Sequence, residues 1–128
     1  MPYENCWERH GVVKHFSGFV TADEFVRSAE DIAAHPDFDG FTYIVNDFSE
    51  SVGHGIDAEA LERIAVIRFG SMAVNQRISV IVVGTDPRVR ALVNAVAAPP
   101  LVGSHPTVSV SDMRRARIWL LEHPAANR

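Results

Sequence analysis

The sequence predicts a single α/β domain: a mixed, mostly parallel sheet of four or five strands carrying four helices. Three observations predict it. Short β-branched and aromatic runs alternate with segments of helical periodicity in the order β-β-α-β-α-β-α-β-α, which implies parallel strands joined by right-handed crossovers. Ile78 to Val83 is almost uninterrupted apolar sequence, as a central strand covered on both faces requires. The 128 residues contain no internal repeat, low-complexity tract or interior linker, and that length suits one core. The expected organisation is one domain over residues 1–128 with a flexible tail over about 124–128.

Each element has a local reason. Cys6 to Val20 reads as two short strands broken at His10-Gly11, the first antiparallel to the second, with Trp7, Val12, Val13, Phe16 and Phe19 as apolar contributors. Thr21-Ala22-Asp23-Glu24 is a capping box that starts a helix. Phe25, Ala29, Ile32 and Ala33 recur on one face of it, and His35-Pro36 ends it. Phe41 to Val45 is a strand, and Asn46-Asp47 supplies polar groups at its carboxyl edge. Ser49 to Gly55 has the small, polar composition of a loop, after which Asp57 caps a helix to about Ala73. Beyond Ile78 to Val83, Thr85-Asp86-Pro87 opens a third helix with Val89, Leu92, Val93 and Val96 as its stripe, stopped at Ala98-Pro99-Pro100. Thr107 to Val110 is a short strand, and Ser111-Asp112 caps a last helix bearing Met113, Ala116, Trp119 and Leu120.

Composition limits the function classes. Hydrophobic residues at 47% and charged residues at 22% describe an ordinary globular protein. A net charge of −4 disfavours a phosphate backbone, so nucleic acid is not the expected partner. A lone cysteine, Cys6, makes no intramolecular disulfide and suits a reducing compartment. With no signal-peptide pattern at the N-terminus and no apolar run near the roughly 20 residues of a membrane span, a cytoplasmic location is expected.

The phrases Phe16-Ser17-Gly18-Phe19-Val20-Thr21-Ala22-Asp23-Glu24-Phe25, His35-Pro36-Asp37-Phe38 and Tyr43-Ile44-Val45-Asn46-Asp47-Phe48-Ser49 resemble a bacterial family described as SpoIIAA-like. That family is related to the STAS domains of anti-sigma-factor antagonists and is compared with lipid-carrying SEC14 (CRAL-TRIO) proteins. The resemblance runs from about Trp7 to Leu121 and includes the closing Ala116-Arg117-Ile118-Trp119-Leu120. It implies a mixed sheet backed by helices, frequent dimerisation, and no particular enzyme chemistry. True antagonists carry a phosphorylated serine in an Asp-Ser-Ser-Gly-like motif at a helix start. Here Asp47 to Asp57 has serines but lacks the Ser-Ser-Gly.

The candidate sites follow from this. Ser49 and Ser51, with Asp47 and His54, form a loop that could act as a phosphate switch if it lay at a helix N-terminus, although Glu50 and Asp57 oppose added negative charge. Asp47, His54 and Asp57 are the acid–base groups of an alternative, enzymatic reading, which requires them to share a cleft. No three-ligand metal pattern, nucleophile elbow or dinucleotide fingerprint is present, so no catalytic residue, metal or cofactor is expected. Arg114, Arg115 and Arg117, with Arg88 and Arg90, read as solvated surface charges rather than a patch for an anionic head group. The strongest clue is the breadth of the apolar surface on the second helix: Ile56, Leu61, Val66, Ile67, Phe69 and Met72. It suits a twofold homodimer interface, a pocket wall for an apolar or lipid-like ligand, or a surface covered internally by the N-terminal hairpin or the Ala98 to His105 loop. The expected function is a non-enzymatic binding or interaction module.

Overall fold

Strand β1 (Tyr3–Trp7) pairs antiparallel with β2 (Gly11–Val20), and the capping box then begins α1 (Ala22–Ala33) as the sequence predicts. Thr21 Oγ1 accepts from the Glu24 amide at 3.2 Å, while the Thr21 amide donates to Glu24 Oε1 at 2.8 Å. A single 3-10 turn, Phe38–Gly40, leads into β3 (Tyr43–His54), followed by α2 (Ala58–Val74), β4 (Ser79–Val83), α3 (Pro87–Val96), β5 (Thr107–Val110) and α4 (Met113–Glu122). The structure, a computed structural model, describes residues 3–96 and 107–124. The expected Ala98-Pro99-Pro100 stop, the whole loop to Pro106 and the residues beyond Pro124 therefore lie outside the described residues.

The sheet has the order β1-β2-β3-β4-β5, with β2 to β5 parallel and β1 antiparallel at the edge. Alternation along the strands splits the core into two layers. Val13, Val45, Ile81 and Val83 face α4 and pack on Ala116, Met113, Trp119 and Leu120. On the opposite face Val12 and Val80 meet Ile32 of α1 together with Phe38 and Phe41, and Phe16, Phe48 and Val82 meet Val89 and Leu92 of α3. The chain closes one end of this arrangement with a bidentate ion pair: Arg117 of α4 donates to Glu8 at 2.7 and 2.6 Å, and the Tyr43 hydroxyl donates to the same carboxylate.

Three boundaries depart from the sequence expectation. β1 begins at Tyr3 rather than Cys6. Phe41 precedes β3 and is buried in the core. The largest departure concerns Ser49 to His54, expected as loop: β3 continues through them. Past Asp47 its partner β4 ends, yet β2 keeps pairing, Ser17 with Glu50 and Val20 with His54. Their backbone groups are satisfied by a two-stranded ribbon, which the polar composition of the segment concealed. Two register shifts in that ribbon are absorbed near Gly18, whose φ of 65 suits glycine.

Candidate functional site

The face of the sheet that carries α1 to α3 is organised in rows. Register aligns Val12, Ile44 and Val80 in one row, and Phe16 stacks on Phe48 at 4.6 Å in another. The row between them is polar: Asn5, Lys14 and Asn46 are cross-strand neighbours. Lys14 and Asn46 are each 3% exposed, and Lys14 is the only lysine in the chain. A buried lysine without a carboxylate is costly, because an ammonium loses its hydration on leaving water. Lys14 Nζ donates to Ser28 Oγ at 3.2 Å and lies 5.2 Å from the Phe25 ring centroid. Two buried amide oxygens, Asn5 Oδ1 and Asn46 Oδ1, find no hydrogen-bond partner among the described residues.

Above this row α2 stands off the sheet. Its inner side packs on α1, where Ala60, Ile64 and Ala65 meet Val26 with Ala29, Leu61 and Ile67 alongside, and no strand residue enters that cluster. The gap left between the two helices and the sheet is a cavity of about 50 Å³. Phe25, Ile32, Phe38, Ile64 and Ile67 give it apolar walls, while Lys14, Asn46, Arg68 and Ser71 are its polar lining. Arg68 comes from the inner stripe of α2, one turn after Ile64, and its Nη1 reaches Thr107 Oγ1 at 3.4 Å. Neither Lys14 nor Arg68 forms a salt bridge with a described residue. Burial, and then the charge of Arg68, bring the Lys14 amine down to about 7, against a small opposing pull from Asp31. Burial likewise lowers Arg68 to about 10.

A second space lies beside the cavity. A groove of about 490 Å³ runs between the end of α1 and the outer part of α2, lined by Glu30, His35, Pro36, Val66, Gly70 and Val74. Ala33, Phe38, Ile67 and Ser71 line both spaces, so the groove adjoins the cavity along one shared wall.

Of the apolar residues singled out on and before α2, Ile56, Leu61 and Ile67 are half-buried and packed in the core, with α1 as their main cover. Ile67 alone of the five whose side chains are described lines the inner cavity, and Val66 lines the outer groove. Val66 and Phe69 remain exposed at 76% and 46%. Met72 belongs to α2, but its side chain lies outside the described residues.

Asp47, His54 and Asp57 are not brought together. Asp47 is buried, pairs its Oδ2 with Nδ1 of His15 at 2.9 Å, and accepts from the Ser49 amide. His54 accepts from the Ile56 amide at Nδ1 and meets the Arg88 carbonyl at Nε2. Asp57 caps α2 through the Ala60 amide. None of the three lines the cavity, the groove or the cleft described next. Among the described residues no three of His, Cys, Asp and Glu converge as metal ligands would.

Ser49 and Ser51 require a correction of place. They sit within β3 rather than in a loop at the start of α2, and the Ser51 hydroxyl donates to the Phe48 carbonyl. With Phe48 they line an open, polar cleft at the carboxyl edge of the sheet, facing Gly84 to Arg88 and Ser111. At the mouth of that cleft Asp86 caps the Arg88 amide and pairs with its guanidinium at 2.9 Å. Arg88 and Arg117 are thus each committed to a carboxylate rather than to a shared basic patch.

Sequence reasoning passed over Lys14, Arg68 and the core position of Asn46. A signal was present: on the period-two face Val12-Lys14-Phe16 and Ile44-Asn46-Phe48, a polar residue interrupts an apolar series at the same register. Arg68 was hidden because the apolar surplus of α2 drew attention to Val66 and Phe69, which point outward.

No protein-family model matches the sequence, and no curated protein matches it. Among solved structures, the chain is similar to an uncharacterised protein of the DUF3478 family with a SpoIIAA-like fold from Shewanella loihica. That likeness has a TM-score of 0.56 at 12% identity and covers 92% of this chain and 91% of that one. The fold is therefore SpoIIAA-like. No helix among the described residues is long and apolar enough to cross a membrane.

Proposed function

With a SpoIIAA-like fold as the premise, we propose that the chain is a non-catalytic binding module whose ligand, a small and mostly apolar molecule, sits between α1 and α2. One observation carries this reading: the second helix rests on the first instead of on the sheet, leaving an apolar-walled cavity that adjoins an open groove. Ligand sites are concave, largely apolar and marked by a few convergent polar groups, which matches this space and not the polar cleft at the carboxyl edge. The cytoplasm is the compartment we infer, from the lone cysteine. Native mass spectrometry of freshly purified protein, compared with the denatured chain, tests the proposal. A noncovalent adduct lost on denaturation supports it. A chain that arrives bare, and that also fails to bind the neutral dye Nile red saturably, removes it.

The outer side of α2 favours a second activity for the same element. Val66, Phe69 and Val74 leave apolar area exposed on one helix, and a twofold partner that apposes two such helices would bury it. Homodimerisation through this side would overlap the groove, which Val66 and Val74 line, but not the inner cavity, which none of the three lines.

A further inference from the structure

The chemistry at the inner end of the cavity narrows the ligand beyond "small and apolar", and the narrowing rests on the reading just proposed. Lys14 and Arg68 reach the cavity from opposite sides, one from the floor of the sheet and one from the helix above. Neither has a carboxylate partner among the described residues. A buried ammonium and a half-buried guanidinium facing a common space repel each other, and a protein with only one lysine has placed it there. A structural role alone would be better served by two apolar residues of the same volume. An anion between them removes the mutual repulsion and supplies a charged acceptor, which the hydroxyls of Ser28 and Thr107 are not.

We propose that Lys14 and Arg68 form the anion-binding end of the cavity, and that the ligand is an amphipathic monocarboxylic acid whose apolar tail leaves along the groove between α1 and α2. Size and lining select the class. A space of about 50 Å³ holds roughly three or four water-sized groups, enough for a carboxylate and the methylene beside it. The remaining walls, Phe25, Ile32, Phe38 and Ile64, offer an alkyl chain contact and offer a dianion no donors. Ile67 and Ser71 line both spaces, so a chain that outgrows the inner cavity meets the groove and its apolar wall of Val66, Gly70 and Val74. Lys14, whose amine burial has made easy to deprotonate, recovers its charge when a carboxylate arrives.

Calorimetric titration of the full chain with octanoate and, separately, with octan-1-ol tests this, in the parent protein and in Lys14→Met and Arg68→Gln. The expected result is octanoate binding at least tenfold tighter than octan-1-ol, a loss of tenfold or more in octanoate affinity in each variant, and unchanged affinity for the alcohol. Octanoate should also shift the side-chain resonances of Lys14, which need no assignment because no other lysine contributes. Equal affinities for acid and alcohol, untouched by the substitutions, would overturn carboxylate recognition while leaving an apolar ligand site in place. Binding of neither probe would remove the site itself. Thermal unfolding of both variants shows that a lost affinity is not a lost fold, and Arg68→Gln, on a partly exposed helix position, keeps the test open if the buried substitution misfolds.

Discussion

Lys14 sets up the sharpest residue-scale expectation, because its amine titrates near 7 in the folded chain against 10.5 for an ordinary lysine. Between those values the unfolded chain holds a proton that the folded chain does not, so stability should rise with pH across that window and level off below it. The charged groups that face this amine are Arg68 from α2, which reinforces the shift, and Asp31 from α1, which opposes it; β3 contributes only the neutral Asn46. Lys14→Met should abolish the rise and raise stability at pH 7 by on the order of 2 kcal/mol, read from urea unfolding at several pH values. Glu8 behaves in the opposite sense. Arg117 first, and then the Tyr43 hydroxyl, hold its carboxyl down to about 2 from 4.5, so its contribution is complete above pH 4.5 and disappears as pH falls towards 2. Glu8→Gln should cost about 1 kcal/mol at pH 7, a modest figure because the pair is partly solvated, and should cost nothing at pH 2. A penalty that persisted at pH 2 would mean that Glu8 acts through packing instead.

At the scale of elements, the β2–β3 ribbon and α2 show where sequence was legible and where it was not. Elements whose reason is local were readable: the capping box of α1, the Asp112 cap of α4 and the all-buried run of β4 need only their own residues. The extension of β3 through Ser49 to His54 was not, since a strand made of serine, glutamate and glycine is stabilised by its partner and not by its composition. The cavity was illegible for a similar reason. Lys14 and Asn46 are unremarkable one at a time, and only the register of two strands places them side by side. α2 misled in another way: part of its apolar surface packs on α1, Val66 and Phe69 stay exposed, and the polar Arg68 and Ser71 join Ile64 and Ile67 in lining the cavity. A sharp test of strand packing lies at Gly11, where an added methyl group would stand 2.5 Å from the Tyr43 carbonyl oxygen and 2.6 Å from its ring. Gly11→Ala should therefore destabilise by about 1–3 kcal/mol. A neutral result in thermal unfolding would show that β2 and β3 can separate there without loss.

For the whole molecule, the two faces of the sheet have different work. The α4 face is filled by aliphatic and aromatic side chains and closed by the Glu8–Arg117 pair, whereas the α1–α3 face keeps a polar row and a cavity in its midst. The α1–α3 face thus carries both core packing and the candidate ligand space, whereas substitutions confined to the α4 face should leave ligand binding largely unaffected. Assembly belongs to a third surface. Phe69→Glu on the outer side of α2 should yield a folded monomer by sedimentation if two copies meet there, with octanoate binding retained. Unchanged mass in the variant and parent alike would detach the exposed stripe from any self-association.

A chain with a single lysine, and that one sealed beneath two helices, also carries its own clock. Amine-directed reagents have just two places to go, the chain terminus and Lys14, and the second is out of reach while α1 and α2 stay together. The rate at which Lys14 is modified therefore times the opening of that helix pair, with no label introduced and no other side chain confusing the count. A bound molecule that holds the helices closed should slow this reaction in proportion to its occupancy, whereas the terminal amine keeps its pace as an internal reference.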